Sequence, residues 1–183
     1  TPDEPTLRAL LRRSDLHLVL KTPEAELDNG ALDRPIRWVH SSDLADPTPF
    51  LADGVVLLTT GTQFLDDAAN NAANDAAYDG GYAAYTARLR SRGVVGLGFG
   101  TEVVRDGIPL ELAEACLADG ITLFEVPYRT PFIAVARANA EATAAQAFAR
   151  RSWALAAQRA LSLAALRPDG LAATITELGK QLE

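Results

Sequence analysis

Short apolar runs separated by helical segments organise residues 1–130 of the chain. Runs rich in Val, Ile and Leu predict β-strands near residues 16–20, 36–40, 55–59, 94–98 and 121–125. Three of these strands follow a helical segment that ends at Gly54, Gly93 or Gly120, and glycine is favoured where a helix ends in the left-handed conformation. Strands that alternate with helices predict βαβ units. We therefore expect an α/β fold with a mainly parallel five-strand sheet flanked by helices.

Helical periodicity and capping residues place the connecting helices. The predicted helices cover residues 6–13, 63–92 and 109–119, and the second is interrupted at 70–81 by Asn, Asp and Gly residues. Thr6 is expected to cap the first helix. Pro109 is expected in the first turn of the third, where its missing N–H costs nothing.

From about Pro131 the chain changes character. Residues 132–166 contain neither glycine nor proline and are rich in alanine, which predicts one long helix. Trp153, Ala156, Ala160 and Leu163 recur at the three-four spacing of a helix-pairing seam. A break at 167–170 precedes a short amphipathic helix at 171–182.

These patterns predict three parts. They are an α/β domain at 1–130, a connector and dimerisation helix at 131–167, and a short helix at 168–183, which we expect to begin a truncated further domain. A long helix that folds back over the sheet is the alternative to a dimer stem.

The composition narrows the class of protein. A net charge of −7, from 17 basic and 24 acidic residues, argues against direct nucleic-acid binding, which needs a basic face to neutralise phosphates. No apolar run reaches membrane-spanning length and no signal-peptide pattern opens the chain. The single cysteine, Cys116, excludes an internal disulfide and is expected to be a small buried apolar residue. A cytoplasmic location and the absence of a metal or cofactor are the resulting expectations.

Polar residues follow the predicted strands at the points where each one ends. Because the carboxyl ends of parallel strands line the ligand crevice of an open sheet, these residues are candidates for a small-molecule pocket. The predicted ligand-binding residues are His40, Ser42, Asp43, Thr59, Thr60, Gly61, Gly98, Glu125 and Arg129. Their convergence on one rim, rather than any single residue, carries this hypothesis.

Each candidate also has a purely structural interpretation. His40 can be a strand-end residue bonded to the backbone, and Ser42 and Asp43 can cap a turn. Gly98 can allow close packing, because 96–100 lacks the G-x-G-x-x-G spacing of a nucleotide site. Glu125 can form an exposed ion pair with Arg129, which lies nearby in sequence.

The sequence gives little support to catalysis. No G-x-S-x-G elbow is present, and the adjacent residues His40, Ser41, Ser42 and Asp43 cannot line up as a catalytic triad on one strand end. We therefore assign no catalytic residue and no metal ligand.

Three stretches resemble one known family. RPIRWVHSSDLADPTPFLADGVVLLTTG at 34–61, GVVGLGFG at 93–100 and LFEVPYRTPF at 123–132 occur in the order found in the N-terminal domain of PucR-type (purine catabolism regulator) transcription factors. The resemblance covers roughly residues 5–135, and only 68–81 departs from it. It implies a regulatory domain of a regulator of purine catabolism or a related pathway, whose DNA-binding helix-turn-helix lies in a C-terminal domain absent from this chain. It carries over no catalytic residues.

Three hypotheses follow, in this order. The first is a sensor for a small-molecule effector such as a purine-pathway metabolite, which forms a homodimer through helix 131–167 and contacts neither DNA nor membrane directly. The second is a protein-interaction module whose crevice binds a peptide or another domain. The third is a hydrolase-like enzyme, for which alanine at His40 would abolish turnover.

Overall fold

The computed structural model describes residues 5–65 and 81–182, and it confirms the α/β fold class. These residues form two compact units, 5–142 and 143–182. The strands are β1 Val19–Leu20, β2 Trp38–Ser41, β3 Val55–Thr59, β4 Gly96–Gly100 and β5 Thr122–Val126. The α-helices of the described residues are α1 Leu7–Leu11, α2 Gly81–Ser91, α3 Leu110–Ala118, α4 Phe132–Ala165 and α5 Gly170–Leu182.

The five strands form one mixed sheet in the order β1-β5-β4-β3-β2. Strands β2 to β5 pair in parallel, whereas β1 pairs antiparallel with β5, Val19 lying opposite Glu125. The prediction of a mainly parallel sheet was therefore wrong in this respect. Consecutive parallel strands need a crossover connection between them, usually a helix. No such connection joins β1 directly to β5, so β1 can run antiparallel at the edge of the sheet.

Both faces of the sheet are covered, which explains why β3 and β4 are buried along their whole length. On one face, Val56, Leu58 and Phe124 pack with α1 and the first turns of α4. On the other face, Leu57, Leu97 and Phe99 pack with α2 and α3. Because β2 to β5 follow one another in sequence order, the described parallel strands contain no point at which the strand order reverses. A pocket at this sheet must therefore be closed by loops.

Several local predictions are confirmed. The Thr6 hydroxyl accepts a hydrogen bond from the backbone N–H of Ala9 at 3.2 Å and so caps α1. The three glycines that precede β3, β4 and β5 all have positive φ, although residues 51–54 before β3 form a turn and not the helical segment predicted there. Pro109 lies directly before the first residue of α3, at the cap rather than within the first turn.

Further outcomes concern the middle and the end of the chain. Cys116 is fully buried, as expected, and desolvation raises the pKa of its thiol to about 12. Residues 70–80 of the predicted interruption and most of the first part of the helix predicted over 63–92 lie outside the described residues, while Gly81 is the first residue of α2. The long helix at 132–166 and the short helix at 171–182 are both present. The domain boundaries at 130 and 167 stay predictions.

Within 5–65 and 81–182, no helix has the length and apolar character needed to cross a membrane.

Candidate functional site

A cavity of about 300 Å³ opens at the carboxyl edge of the sheet. Its lining residues are Thr60, Gly100, Val103, Val126, Pro127, Tyr128, Thr130, Pro131 and Phe132. They come from the ends of β3, β4 and β5 and from the first residue of α4. This volume lies at the small end of the range for ligand pockets, and a mostly apolar wall with a few hydroxyl groups is typical of them.

Asp43 fixes the loop that supplies Thr60 to this cavity. Its Oδ1 atom accepts hydrogen bonds from the Thr59 hydroxyl and the Thr60 backbone N–H, both at 2.7 Å. Its Oδ2 atom accepts from the Thr60 hydroxyl at 2.8 Å. The carboxylate thus ties the loop after β2 to the end of β3, and we call this arrangement the Asp43 latch.

The latch also sets the direction of the neighbouring hydrogen bonds. Since the Thr59 hydroxyl gives its only proton to Asp43, it must accept from Gln63. The amide nitrogen of Gln63, at 2.9 Å, is therefore the bonded atom, and the amide oxygen at 3.1 Å is not. By the same reasoning the Thr62 hydroxyl donates to that of Thr60, 2.7 Å away. A directed network of this kind positions a loop and gives Asp43 a structural task.

Glu125 lies at the same edge of the sheet but points to the opposite face from the cavity. Strand residues alternate between faces, so Val126 lines the cavity while Glu125 lies across from Phe99. Its carboxylate pairs with Lys21 Nζ at 2.5 Å and accepts from the Thr101 hydroxyl at 2.7 Å. The ion pair expected with Arg129 is therefore replaced by one with Lys21, because the antiparallel β1 brings that lysine alongside β5.

The contacts of Glu125 predict a pH effect on stability. Lys21, and after it Thr101, lower the pKa of Glu125 below its ordinary value of 4.5. A carboxyl with a depressed pKa in the folded state stabilises the fold above its unfolded pKa, and this stabilisation is lost as the pH falls through the folded pKa. We expect Glu125→Gln to be less stable than the wild type by about 1 kcal/mol at pH 7. The difference should shrink as the pH falls below the ordinary pKa of a glutamate and disappear once the pH lies below the lowered pKa of Glu125 in the folded state.

Urea unfolding of both proteins at several pH values measures this difference. Glu26→Gln, which changes an exposed glutamate, is the control and should leave the pH dependence unchanged. A Glu125→Gln deficit that is as large at low pH as at neutral pH would contradict the assignment.

The other predicted ligand-binding residues are spread over this part of the sheet. His40 is half-buried on β2 opposite Leu57. The Ser42 hydroxyl accepts from the Leu44 N–H at 3.2 Å, which is the turn-capping role considered for it. Gly98 lies within β4, where an added Cβ would come within 2.5 Å of Leu58, and Arg129 is exposed in the turn after β5. Of the nine predicted residues, Thr60 is the one that lines the cavity.

Sequence reasoning missed most of the cavity wall. Thr130, Pro131 and Phe132 stand in the quoted segment 123–132, so their position directly after a strand could have suggested them. Val103 gave no such signal, because it lies in an irregular loop beyond β4. Within the described ranges, no group of His, Cys, Asp and Glu residues is arranged to hold a metal ion.

One comparison with known proteins identifies the family. The model of the purine catabolism regulatory protein-like family matches residues 16–142, which is more than half of the 183-residue chain. The chain belongs to this family. The PucR resemblance seen in the sequence is thereby confirmed, and the matched segment is a regulatory domain of a transcription regulator. No curated protein and no solved structure matches the chain.

Proposed function

We propose that this PucR-family domain senses a small molecule at the carboxyl edge of its sheet and that its ligand controls the pairing of two chains. The effector is a metabolite of purine catabolism or of a related pathway, and the protein acts in the cytoplasm as a regulator without catalytic activity of its own. DNA is contacted by another domain of the regulator, in keeping with the net charge of −7.

The observation that carries this proposal is the double position of Phe132. It lines the cavity and is also the first residue of α4, which runs on to Ala165. A ligand in the cavity therefore touches the start of the helix on which the next unit is built. Binding that favours one placement of this first turn supplies the differential contact that ligand control requires.

Thermal unfolding against a panel of purine-pathway metabolites, including allantoin and urate, tests the proposal. A ligand at about one hundred times its dissociation constant stabilises the folded state by about 2.7 kcal/mol. For a chain of this length, that free energy raises the melting temperature by roughly 5–10 °C. Thr60→Val should reduce the shift, since it removes a hydroxyl from the cavity wall, while Thr48→Val outside the cavity should not.

The second candidate is a protein-interaction module that uses the same crevice. Tyr128 and Val103 at the rim of the cavity are 66% and 53% exposed, which suits a peptide laid across it. This function predicts partner binding with no metabolite effect on the melting temperature. A panel without a single positive compound would favour it over the sensor.

A further inference from the structure

The second unit of the chain is a pair of helices with almost no buried core. It consists of α4 from residue 143 and of α5, which a short turn at 166–169 joins, and we call these two helices the hairpin. Its buried hydrophobic residues within the described chain are three alanines, Ala157, Ala164 and Ala173. Three buried methyl groups are a small core for forty ordered residues, because burial of apolar surface is what offsets the conformational entropy lost on folding.

Large apolar side chains of the hairpin instead lie on its outside. Each of them is between 46% and 82% exposed. They are Phe148, Trp153, Leu155, Leu163 and Leu166 before α5, and Leu171, Ile175 and Leu178 on α5. Together they present on the order of 1,000 Å² of apolar surface, compared with about 800 Å² per partner in a stable protein interface.

On each helix, some of these residues recur at the spacing used for helix pairing. Trp153 and Leu163 flank Ala156 and Ala160 at intervals of three, four and three, and Leu171, Ile175 and Leu178 follow at four and three. The small alanines let a second helix approach closely. Two helices with such seams need two further helices to complete a four-helix bundle. A second copy of the hairpin, related to the first by a two-fold axis, supplies both.

The polar side of α5 argues against a lipid surface as the partner that covers the exposed apolar residues of the hairpin. Interfacial helices of that kind carry several Lys or Arg residues on the polar face. Between Gly170 and Gln181, Lys180 is the single basic residue, and its ammonium lies 3.7 Å from Glu177.

From these observations we infer that residues 143–182 pair with the same residues of a second copy of this chain to form a four-helix bundle. This inference rests on the proposed function, which includes the pairing of two chains, and it assigns that pairing to a surface formed by both helices. Helix 131–167 alone was the surface expected from the sequence. Pairing buries the seams and gives each hairpin the core it lacks.

Sedimentation equilibrium of the 183-residue chain tests the inference. The wild type should have a mass of twice 19.5 kDa. Ile175→Glu, at a residue already 63% exposed, should weaken association by at least about tenfold, since a buried charge opposes pairing. Leu110→Glu is the matched control, because Leu110 is 69% exposed on α3 in the first unit, and it should leave the dimer intact. A monomeric wild type, or an Ile175→Glu protein as dimeric as the wild type, would overturn the inference.

Fluorescence provides a second readout that does not depend on a hairpin mutation. The chain has two tryptophans, so Trp38→Phe leaves Trp153 as the only one. Its emission should shift to the blue as the protein concentration rises and the seam is buried, and an emission maximum independent of concentration contradicts pairing. The metabolite shift in melting temperature, measured on Ile175→Glu, keeps the two proposals apart. If monomeric Ile175→Glu still shows the metabolite shift, the sensor proposal stands without the pairing. If the wild type is dimeric but no metabolite shifts its melting temperature, only the pairing stands.

Discussion

Gly61→Ala is expected to lower the free energy of unfolding by about 2–5 kcal/mol, a larger loss than we expect from Asp43→Ala in the same part of the structure. Gly61 begins the turn after β3 with φ of 80°, a conformation that costs other residues about 1–2 kcal/mol. An added Cβ would also come within 2.5 Å of the Phe99 ring, which is fully buried. Forcing that ring aside adds about 1–3 kcal/mol.

Gly30→Ala separates the two contributions to this loss. Gly30 begins a similar short turn with φ of 79°, yet a methyl group added at that position would have no neighbouring atom within 4 Å. It should therefore lose only the conformational part, about 1–2 kcal/mol. Urea unfolding of both variants measures the difference. Equal losses would show that Phe99 does not pack against Gly61 as described.

Asp43→Ala is expected to destabilise the chain by about 1–3 kcal/mol and to weaken binding in the cavity. Removal of the carboxylate leaves the buried Thr59 hydroxyl and the Thr60 N–H without their acceptor. The loop that carries Thr60 to the cavity wall then loses its tie to β2. Urea unfolding gives the stability, and the metabolite shift in melting temperature gives the binding.

Asp43→Asn distinguishes a latch from a group whose charge is needed. The asparagine oxygen can still accept from the Thr59 hydroxyl and the Thr60 N–H, and its NH₂ group can donate to the Thr60 hydroxyl. That hydroxyl is then free to donate to Thr62, 2.7 Å away, in place of Asp43. Asp43→Asn should therefore keep most of the stability and the ligand response. Loss of the response with stability retained would instead assign the charge of Asp43 to the ligand.

The sequence predicted the parallel part of the fold well because local signals determine it. The limits predicted for the third strand, 55–59, are those of β3, and the glycine that ends each preceding segment has the expected positive φ. The direction of β1 was not predictable in this way. It depends on the pairing of Val19 and Leu20 with β5, which lies about a hundred residues further along the chain.

The candidate site was predictable only in part, for the same reason. Polar residues at strand ends drew attention to the edge of the sheet where the cavity opens, and Asp43, Thr59 and Thr60 do meet there. Alternation along each strand nevertheless sends Glu125 and Val126 to opposite faces, so residues at one edge need not share one pocket. The partner of Glu125 was missed because Lys21 reaches it through the antiparallel pairing.

The most direct test of the sensor proposal is to fill the cavity without disturbing the fold. Val103→Trp places a large ring at an exposed position of the cavity wall, and Val19→Trp makes the same change at an exposed valine on β1. With a purine-pathway metabolite that raises the melting temperature of the wild type, Val19→Trp should keep the full shift and Val103→Trp should lose it. A full shift in Val103→Trp would place the ligand elsewhere and contradict the proposed sensing site.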